Sequence, residues 1–574
     1  MDRLKHLFVA LFLVNFSCSF GQLRAETKNS KNLLLVNETL FVHTNASTFV
    51  SGETLLYKMY CINTSNFTTS EVSKIAYLQL IDSNKKVVFK HKLFLENSVA
   101  ESDFFITPNL PSGNYKLIAY TNWMLNFSTN SFQMDLIIIN PFQLDSENNN
   151  KTETIYENPN KITSENNEVI LRLNKESYDK REKVVLNLKD NSFEFLNGNY
   201  SISVRKKQDL PSSESYNAIN FSKTFVKNTT ATKSELILPE LRGELISGKI
   251  IAKKSLNSVA NKYVSLSIAG ESFLFKTVKT NTDGIFIFNI DKKYKNTEFV
   301  FQILDDNRLE YSISIDDKYE FDTSNVQFLP KFSINESLKT SLQERSIASQ
   351  VENAYFTKKQ DSLAKSTPIL PFYNSVGKEY ILDNFTRFST MEETITEILK
   401  EVHFEKKRKK YSIYLVDYDP NTDLKENSLV LIDGLILQDL NELFEYKTSN
   451  IYKVIVYNKG YFYQGKLYNG FVSFITKNYD YVNSIKGDYL LQTKIQIPQP
   501  KKVYFKQVYD GNNINNRIPD YRNQLLWIPD YSIATNENTI DFFTSDISGT
   551  FEIVLEGFSV NGKPISFTKN FEVK

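Results

Sequence analysis

The chain has 574 residues, too many for one hydrophobic core and enough for about four domains at roughly 150 residues each. Its 68 basic residues nearly cancel its 67 acidic ones, leaving a formal charge of +1, which excludes the strong basic field of a nucleic-acid binder or an anionic-surface binder. Aromatic residues make up 13% of the chain, with 43 Phe and 32 Tyr, a mixture that suits β-sandwich cores better than helical bundles.

Residues 1–21 carry a basic start (Arg3, Lys5), an apolar run over 7–14, and small residues Ser19 and Gly21 ahead of Gln22. This is the layout of a secretory signal peptide, and the run is too short to span a bilayer. A competing reading makes Cys18 the lipid-modified first residue, although Asn15-Phe16-Ser17 is a poor approach to such a site. If Cys18 leaves with the signal, Cys61 stands alone and no intramolecular disulfide can form; a small buried hydrophobe at a strand end is preferred there over a reactive thiol. Asn-x-Ser/Thr triplets at Asn37, Asn45, Asn63 and Asn126 are glycosylation acceptors in a eukaryote, or chance in a chain rich in Asn.

Over 37–142, alternating strands at 40–43, 55–60, 75–81, 86–90, 115–120 and 132–139 predict an antiparallel sandwich. The segments VHTNASTFVSGETLLYKMY and LPSGNYKLIAYTNWM resemble the second macroglobulin-like domain of large exported Bacteroidetes proteins. Trp123, ending the latter, reads as a core anchor before it reads as a ligand contact. The Asn-rich stretch 145–167 reads as a linker. A second macroglobulin-like sandwich is expected over 167–240, from strands at 169–173, 183–188 and 199–204, and its opening echoes the first domain as a weak internal repeat.

Over 242–317, RGELISGKIIAKKSLNSVANKYVSLSI and FKTVKTNTDGIFIFNI resemble the carboxypeptidase regulatory-like module, a small sandwich without peptidase chemistry. Asp283-Gly284 supplies the positive backbone angle of its tight turn. Residues 335–365 predict a helical connector, with Leu338, Leu342, Ile347, Val351, Ala354 and Leu363 near helical spacing.

Over 378–481 a helix capped by Thr390 or Ser389 presents Glu392 and Glu393 in its first turn and an apolar stripe of Ile395, Ile398, Leu399 and Val402. The basic run 405–410 reads as a solvated hairpin tip, or as a contact for lipid phosphates or an acidic partner. Strands at 429–432, 451–457 and 471–475 are separated by Asp433-Gly434, Lys459-Gly460 and Asn469-Gly470. This pattern resembles the plug domain of TonB-dependent outer-membrane receptors. In a receptor a barrel of many strands follows the plug, each needing about ten residues; here the stretch beyond Lys477 does not read as spanning strands, which implies a plug-like unit without a barrel. A last sandwich is expected over 503–574, from strands at 540–544, 550–557 and 565–573. The fold class is therefore mainly β: serial macroglobulin- or immunoglobulin-like sandwiches and one small α+β plug-like domain.

Chemistry is sparse. His43, His91 and His403 lack metal-ligand spacing, and there is no Gly-x-Ser-x-Gly elbow, P-loop or dinucleotide fingerprint. Cys61 is followed by Ile-Asn-Thr, so the thioester of protease-trapping macroglobulins is missing, and adjacent carboxylate pairs point to opposite faces of a strand. Asp417 to Asp423 could hold a cation weakly or be a plain polar turn. No catalytic residue, cofactor or metal is expected. The resemblances imply an exported bacterial protein, periplasmic, outer-membrane-associated or on the cell surface. It reads as a non-enzymatic binding or scaffold protein that docks onto outer-membrane machinery, not itself integral to the membrane and not bound to nucleic acid. Tyr461, Phe462, Tyr463 and Tyr468 are the candidate partner contacts, set against cross-strand pairing within a sheet. The alternative is an accessory of TonB-dependent transport that gates or delivers substrate; a hydrolase built from scattered carboxylates is the third reading.

Overall fold

The computed structural model describes residues 37–127, 130–143, 168–207, 210, 217–225, 236–270, 273–330, 338–365, 376–416, 428–463, 466–509 and 517–574. The signal peptide, Cys18, the 145–167 linker and the 417–423 turn lie outside them.

Eight strands build the first sandwich: Glu38–Thr44, Thr48–Val50, Thr54–Asn63, Ile75–Asp82, Val87–Phe94, Val99–Phe105, Gly113–Tyr120 and Phe132–Ile139. The first, third and sixth form one sheet, and the other is ordered second, eighth, seventh, fourth, fifth. The third strand shows why this domain is unusual. Side chains alternate across a strand, so Leu55, Tyr57, Met59 and Cys61 fill the sandwich while Leu56, Lys58, Tyr60 and Ile62 point out of it. Yet all eight are buried, because other parts of the chain cover the outer face.

The stretches 167–240 and 503–574, expected as separate sandwiches, contribute to one. Its strands are Val169–Leu173, Ser177–Tyr178, Lys183–Asp190, Asn199–Lys206, Gln524–Tyr531, Glu537–Phe543, Gly549–Phe558 and Pro564–Val573. They repeat the order of the first sandwich strand for strand, down to the short second strand lying parallel to the eighth in each. The fourth strand pairs with the seventh from Asn199↔Phe558 to Lys206↔Phe551. Residues 207–523 thus emerge between the fourth and fifth strands of this second copy. The halves are joined by apolar faces from Val184, Leu186, Ile202 and Val204 on one side and Phe542, Ile553, Leu555 and Phe571 on the other. The halves bury these apolar faces against each other, which is why the two stretches close as one sandwich.

Within that excursion a third sandwich pairs the strands Ile285–Ile290, Glu244–Ala252 and Tyr311–Ile315 with a sheet of Leu274–Lys279, Tyr263–Ile268, Glu298–Leu304 and Leu490–Lys494. Gly284 at its tight turn has φ +79°, as the Asp-Gly pair requires. Its last strand arrives after the α+β unit, so that unit is itself an insertion. There, Lys378–Ile381, Ile451–Tyr457, Phe471–Thr476, Leu429–Ile432 and Leu435–Ile436 form a mixed sheet in that order. Thr390 caps the helix Met391–Ile398 in a reciprocal capping box with Glu393, and Ile395, Ile398, Leu399 and Val402 are buried beneath it. The basic run closes the hairpin Val402–Lys407 and Lys410–Leu415, with Arg408 and Lys409 at its exposed tip.

The connector helix spans Lys339–Ala354, shorter than the apolar spacing suggests, and the chain then turns into Ser362–Leu363, which pairs with Lys502–Val503. Ile347 is 54% exposed and Leu363 also faces solvent; the helix packs instead through Leu342, Arg345, Ala348 and Ser349. Small residues let it approach Gly52 closely: a Cβ at Gly52, where φ is +94°, would stand 2.4 Å from Ser349 Oγ. Among the described residues no helix is long and apolar enough to cross a membrane.

Candidate functional site

The four aromatic contact candidates sit on the hairpin Tyr461–Tyr463 and Lys466–Tyr468, with Tyr461 opposite Tyr468 and Phe462 opposite Leu467. Alternation divides them. Tyr461 meets Phe471 edge-on at 5.2 Å, and Tyr463 stacks at 5.8 Å on Phe275 of the third sandwich. With Tyr468 they join a cluster around Phe273, Leu431 and Ile455, which fastens the hairpin between two units. Phe462 is 69% exposed, and Leu467 is exposed beside it. The structure therefore brings three of the four together inward and turns Phe462 out.

The outer face of the first sandwich holds a second concentration of chemistry. Where it meets the second sandwich, Lys58 Nζ donates to Asn199 Oδ1 at 2.9 Å and to the Tyr200 carbonyl at 3.1 Å. Burial pulls its ammonium down to about 8, against the pull of Asp530 and Glu101. His43 Nδ1 is hydrogen-bonded to Ser201 Oγ at 2.6 Å, and its ring lies 5.3 Å from that of Trp527. Burial, with Lys58 nearby, lowers this imidazole to about 3, so it is neutral. Toward the third sandwich, Lys92 Nζ donates to both oxygens of Glu244 at 2.8 Å and to Tyr294, while Lys318 pairs with the same carboxylate. Beside them burial pushes Glu240 up to about 8.

At the junction of both sandwiches and the connector helix, Glu53 receives two guanidiniums. Arg345 donates Nε to Oε1 at 2.6 Å and an Nη to Oε2 at 2.7 Å; Arg205 donates an Nη to Oε2 at 3.1 Å. Burial works to raise the Glu53 carboxyl, but the two cations outweigh it and hold it below the usual range. Arg205 itself is pulled down to about 10, by burial first.

This junction forms one wall of a cleft of about 240 Å³. The fourth and fifth strands of the second sandwich supply Arg205, Gln524 and Trp527; the helix and its continuation supply Glu352 and Lys359. Gln524 accepts from Asn45 and donates to Ser203 and to the Leu526 carbonyl. Lys359 is matched by Glu352 at 2.7 Å and Asp520 at 3.3 Å, and Arg522 by Asp520 through two bonds of 2.7 Å. Among the described residues, two buried donors of the lining side chains have no acceptor, Arg205 Nε and Trp527 Nε1. Burial of that kind costs about 1–3 kcal/mol per group unless something accepts the bond.

Sequence reasoning did not single out Glu53, Arg205, Arg345 or Trp527. Each looks like an ordinary polar or aromatic position in a strand or helix; only the fold brings them within reach. Cys61 is buried and free, with its thiol raised by burial and by Glu38, and Trp123 packs with Val72 and Phe127. Among the described residues no group of three or more His, Cys, Asp or Glu side chains is placed to hold a metal ion.

No protein-family model matches the chain, and no curated protein matches it. Among solved structures it is similar to Escherichia coli α2-macroglobulin activated by porcine elastase, at 9% identity over 94% of this chain and 44% of that one, with a TM-score of 0.24. Salmonella α2-macroglobulin reacted with methylamine is similar at 9% identity over 93% and 39%, with a TM-score of 0.23. Dimeric latent PorU from Porphyromonas gingivalis follows at 11% identity over 48% and 33%, with a TM-score of 0.15. The chain spans less than half the length of each of these structures.

Proposed function

We propose that this protein is a non-enzymatic binding scaffold of the bacterial cell envelope, docking onto outer-membrane protein machinery through its outermost unit. The observation that carries the reading is the use of the first sandwich as a hub. Its polar outer-face side chains, Lys58, His43, Glu53 and Lys92, are spent on holding other parts of the chain. Buried polar contacts of this kind, ion pairs at Glu53 and Lys92 and hydrogen bonds at Lys58 and His43, penalise arrangements that leave these groups unpaired, which suits a protein whose task is to hold surfaces at fixed separations. The plug-like unit, two insertions removed from the second sandwich, then presents its exposed Phe462 and Leu467 at a defined place. Exposed aromatic side chains such as Phe are enriched at protein interfaces.

The test is capture from detergent-solubilised membranes of the producing bacterium, with a photo-crosslinking phenylalanine analogue at position 462. The expected result is a crosslink to an outer-membrane protein, lost when Leu467→Asp accompanies the analogue. A protein that crosslinks to nothing, or equally well when Leu467 is replaced, contradicts docking through this face.

A further inference from the structure

The contact between the first and second sandwiches sets an amine against a side-chain amide in a buried site. Lys58, on the third strand of the first sandwich, is 0% exposed, and its Nζ lies 2.9 Å from Oδ1 of Asn199 on the fourth strand of the second, 141 positions away. With a C=O bond of about 1.23 Å, the amide carbon Cγ stands within about 4.1 Å of Nζ, close to the roughly 3–3.5 Å of a near-attack arrangement. The Tyr200 carbonyl, accepting from Nζ at 3.1 Å, and the Tyr60 ring, centred 4.9 Å away, hold the amine from its other sides.

An ammonium is no nucleophile, but burial pulls Lys58 down to about 8, which supplies neutral amine at ordinary pH. Glu101 is the register partner of Lys58 on the sixth strand, and directly opposed residues share a face with Cβ atoms about 4.5–5.5 Å apart. Glu101 is itself buried, and burial raises its carboxyl despite Lys501 at 3.5 Å, which keeps the acid form at hand. Asp530 lies 4.0 Å from Lys58 Nζ and also accepts from Lys501 at 2.9 Å. Loss of the Lys58 charge therefore leaves Asp530 with a cation beside it, and it ends the cost of burying an ammonium.

We propose that Lys58 and Asn199 join in an intramolecular isopeptide bond that seals the first sandwich to the second, with Glu101 carrying the proton. Nζ attacks Cγ and forms the new C–N bond. Glu101, in its acid form, gives its proton to Nδ2 as the Cγ–Nδ2 bond breaks; ammonia leaves with the bonding pair, and the proton shed by Nζ restores Glu101. No oxidant or co-reactant is needed. The product amide keeps one N–H, and the Tyr200 carbonyl is already placed to accept it.

The experiment is tryptic peptide mapping, by mass spectrometry, of the full folded chain held near the Lys58 titration at about 8. Trypsin is expected to leave Lys58 uncut and to release a branched peptide joining residues 32–74 to 190–205, lighter than the two parts by one ammonia, about 17 Da. Lys58→Arg, which keeps the charge and removes the primary amine, should give the two stretches as separate peptides. Glu101→Gln, which keeps the shape and removes the carboxyl, should slow bridging about a hundredfold or more. Bridging as fast in Glu101→Gln as in the native chain overturns the part given to Glu101. Separate linear peptides from the native chain, cut after Lys58 and with Asn199 intact, overturn the bond itself. So does loss of the same mass without the branched peptide, which is the product of a cyclised N-terminal glutamine or an asparagine succinimide. The map of the native chain decides on the bond alone, so the test stands even where a substitution unfolds the contact.

Discussion

His43 is a strongly perturbed side chain that a single substitution can probe. It lies between Ser201 and the ring of Trp527, close to Lys58, and its imidazole titrates near 3 in place of the usual 6.5. The unfolded chain then binds a proton that the folded chain refuses over this whole window. Stability contributed here is complete above about pH 6.5 and falls as the pH drops toward 3, by about 1.4 kcal/mol per pH unit at most. His43→Gln can keep the bond to Ser201 and removes the titration. Urea unfolding at a series of pH values should show a shallower loss of stability below pH 6.5 in the variant; identical pH profiles contradict the assignment. Glu240 acts in the opposite sense, because its raised carboxyl holds a proton that the unfolded chain has lost, so that site weakens the fold as the pH rises from about 4.5 toward 8. Neither position was legible in the sequence. His43 occupies an outward slot of an alternating strand, and alternation distinguishes core from non-core, never solvent from a neighbouring domain.

Among the elements, the connector helix shows what local pattern conveys and what it omits. Its existence follows from apolar spacing and good helix formers, but the face it buries is set by Arg345 reaching Glu53 and by Ala348 and Ser349 admitting the turn at Gly52. Gly52→Ala places a methyl 2.4 Å from Ser349 Oγ at a backbone angle that L residues rarely adopt. The helix should lose its seat at a cost of about 1–3 kcal/mol, read as faster limited proteolysis within 339–365 than in the native chain. Unchanged cleavage there would mean that the helix is not held by this turn. The helix Met391–Ile398 is the opposite case, since both its Thr390 cap and its stripe are readable, all its determinants lying within a dozen residues. The strands of the α+β unit and the Asp283-Gly284 turn are legible for the same reason. The aromatic hairpin is intermediate: its composition announces contact, while the division into inward Tyr461, Tyr463 and Tyr468 and outward Phe462 depends on Phe275, far away in sequence.

For the whole molecule, nesting is the governing feature. The second sandwich opens between its fourth and fifth strands to release the third, and the third releases the α+β unit before its own last strand; the third sandwich returns to the hub through Lys92 and Glu244. The repeated strand order of the two eight-stranded sandwiches surfaces in the sequence only as an echo between their opening strands. The two stretches that complete the second copy carry correct strand patterns, yet nothing local in either specifies its partner, because pairing is decided by the fit of faces that meet only after the insertions have folded. A chain built this way has a high proportion of distant contacts, which slows folding and leaves the first half of the second sandwich exposed until synthesis is complete.

That arrangement is tested most directly by a cysteine pair across the two halves. Asn187 and Thr539 are register partners on exposed sites of neighbouring strands, 352 positions apart, with Thr539 Oγ1 donating to Asn187 Oδ1 at 3.1 Å. Antiparallel partners stand about 4.5–5.5 Å apart between Cα atoms, within the reach of a disulfide. Asn187→Cys combined with Thr539→Cys should form an intramolecular disulfide on mild oxidation, seen as a single bridged peptide by mass spectrometry, while the buried Cys61 stays reduced. Failure of the pair to bridge in the folded protein, with both thiols free to alkylating reagent, would contradict a sandwich shared between the two distant stretches.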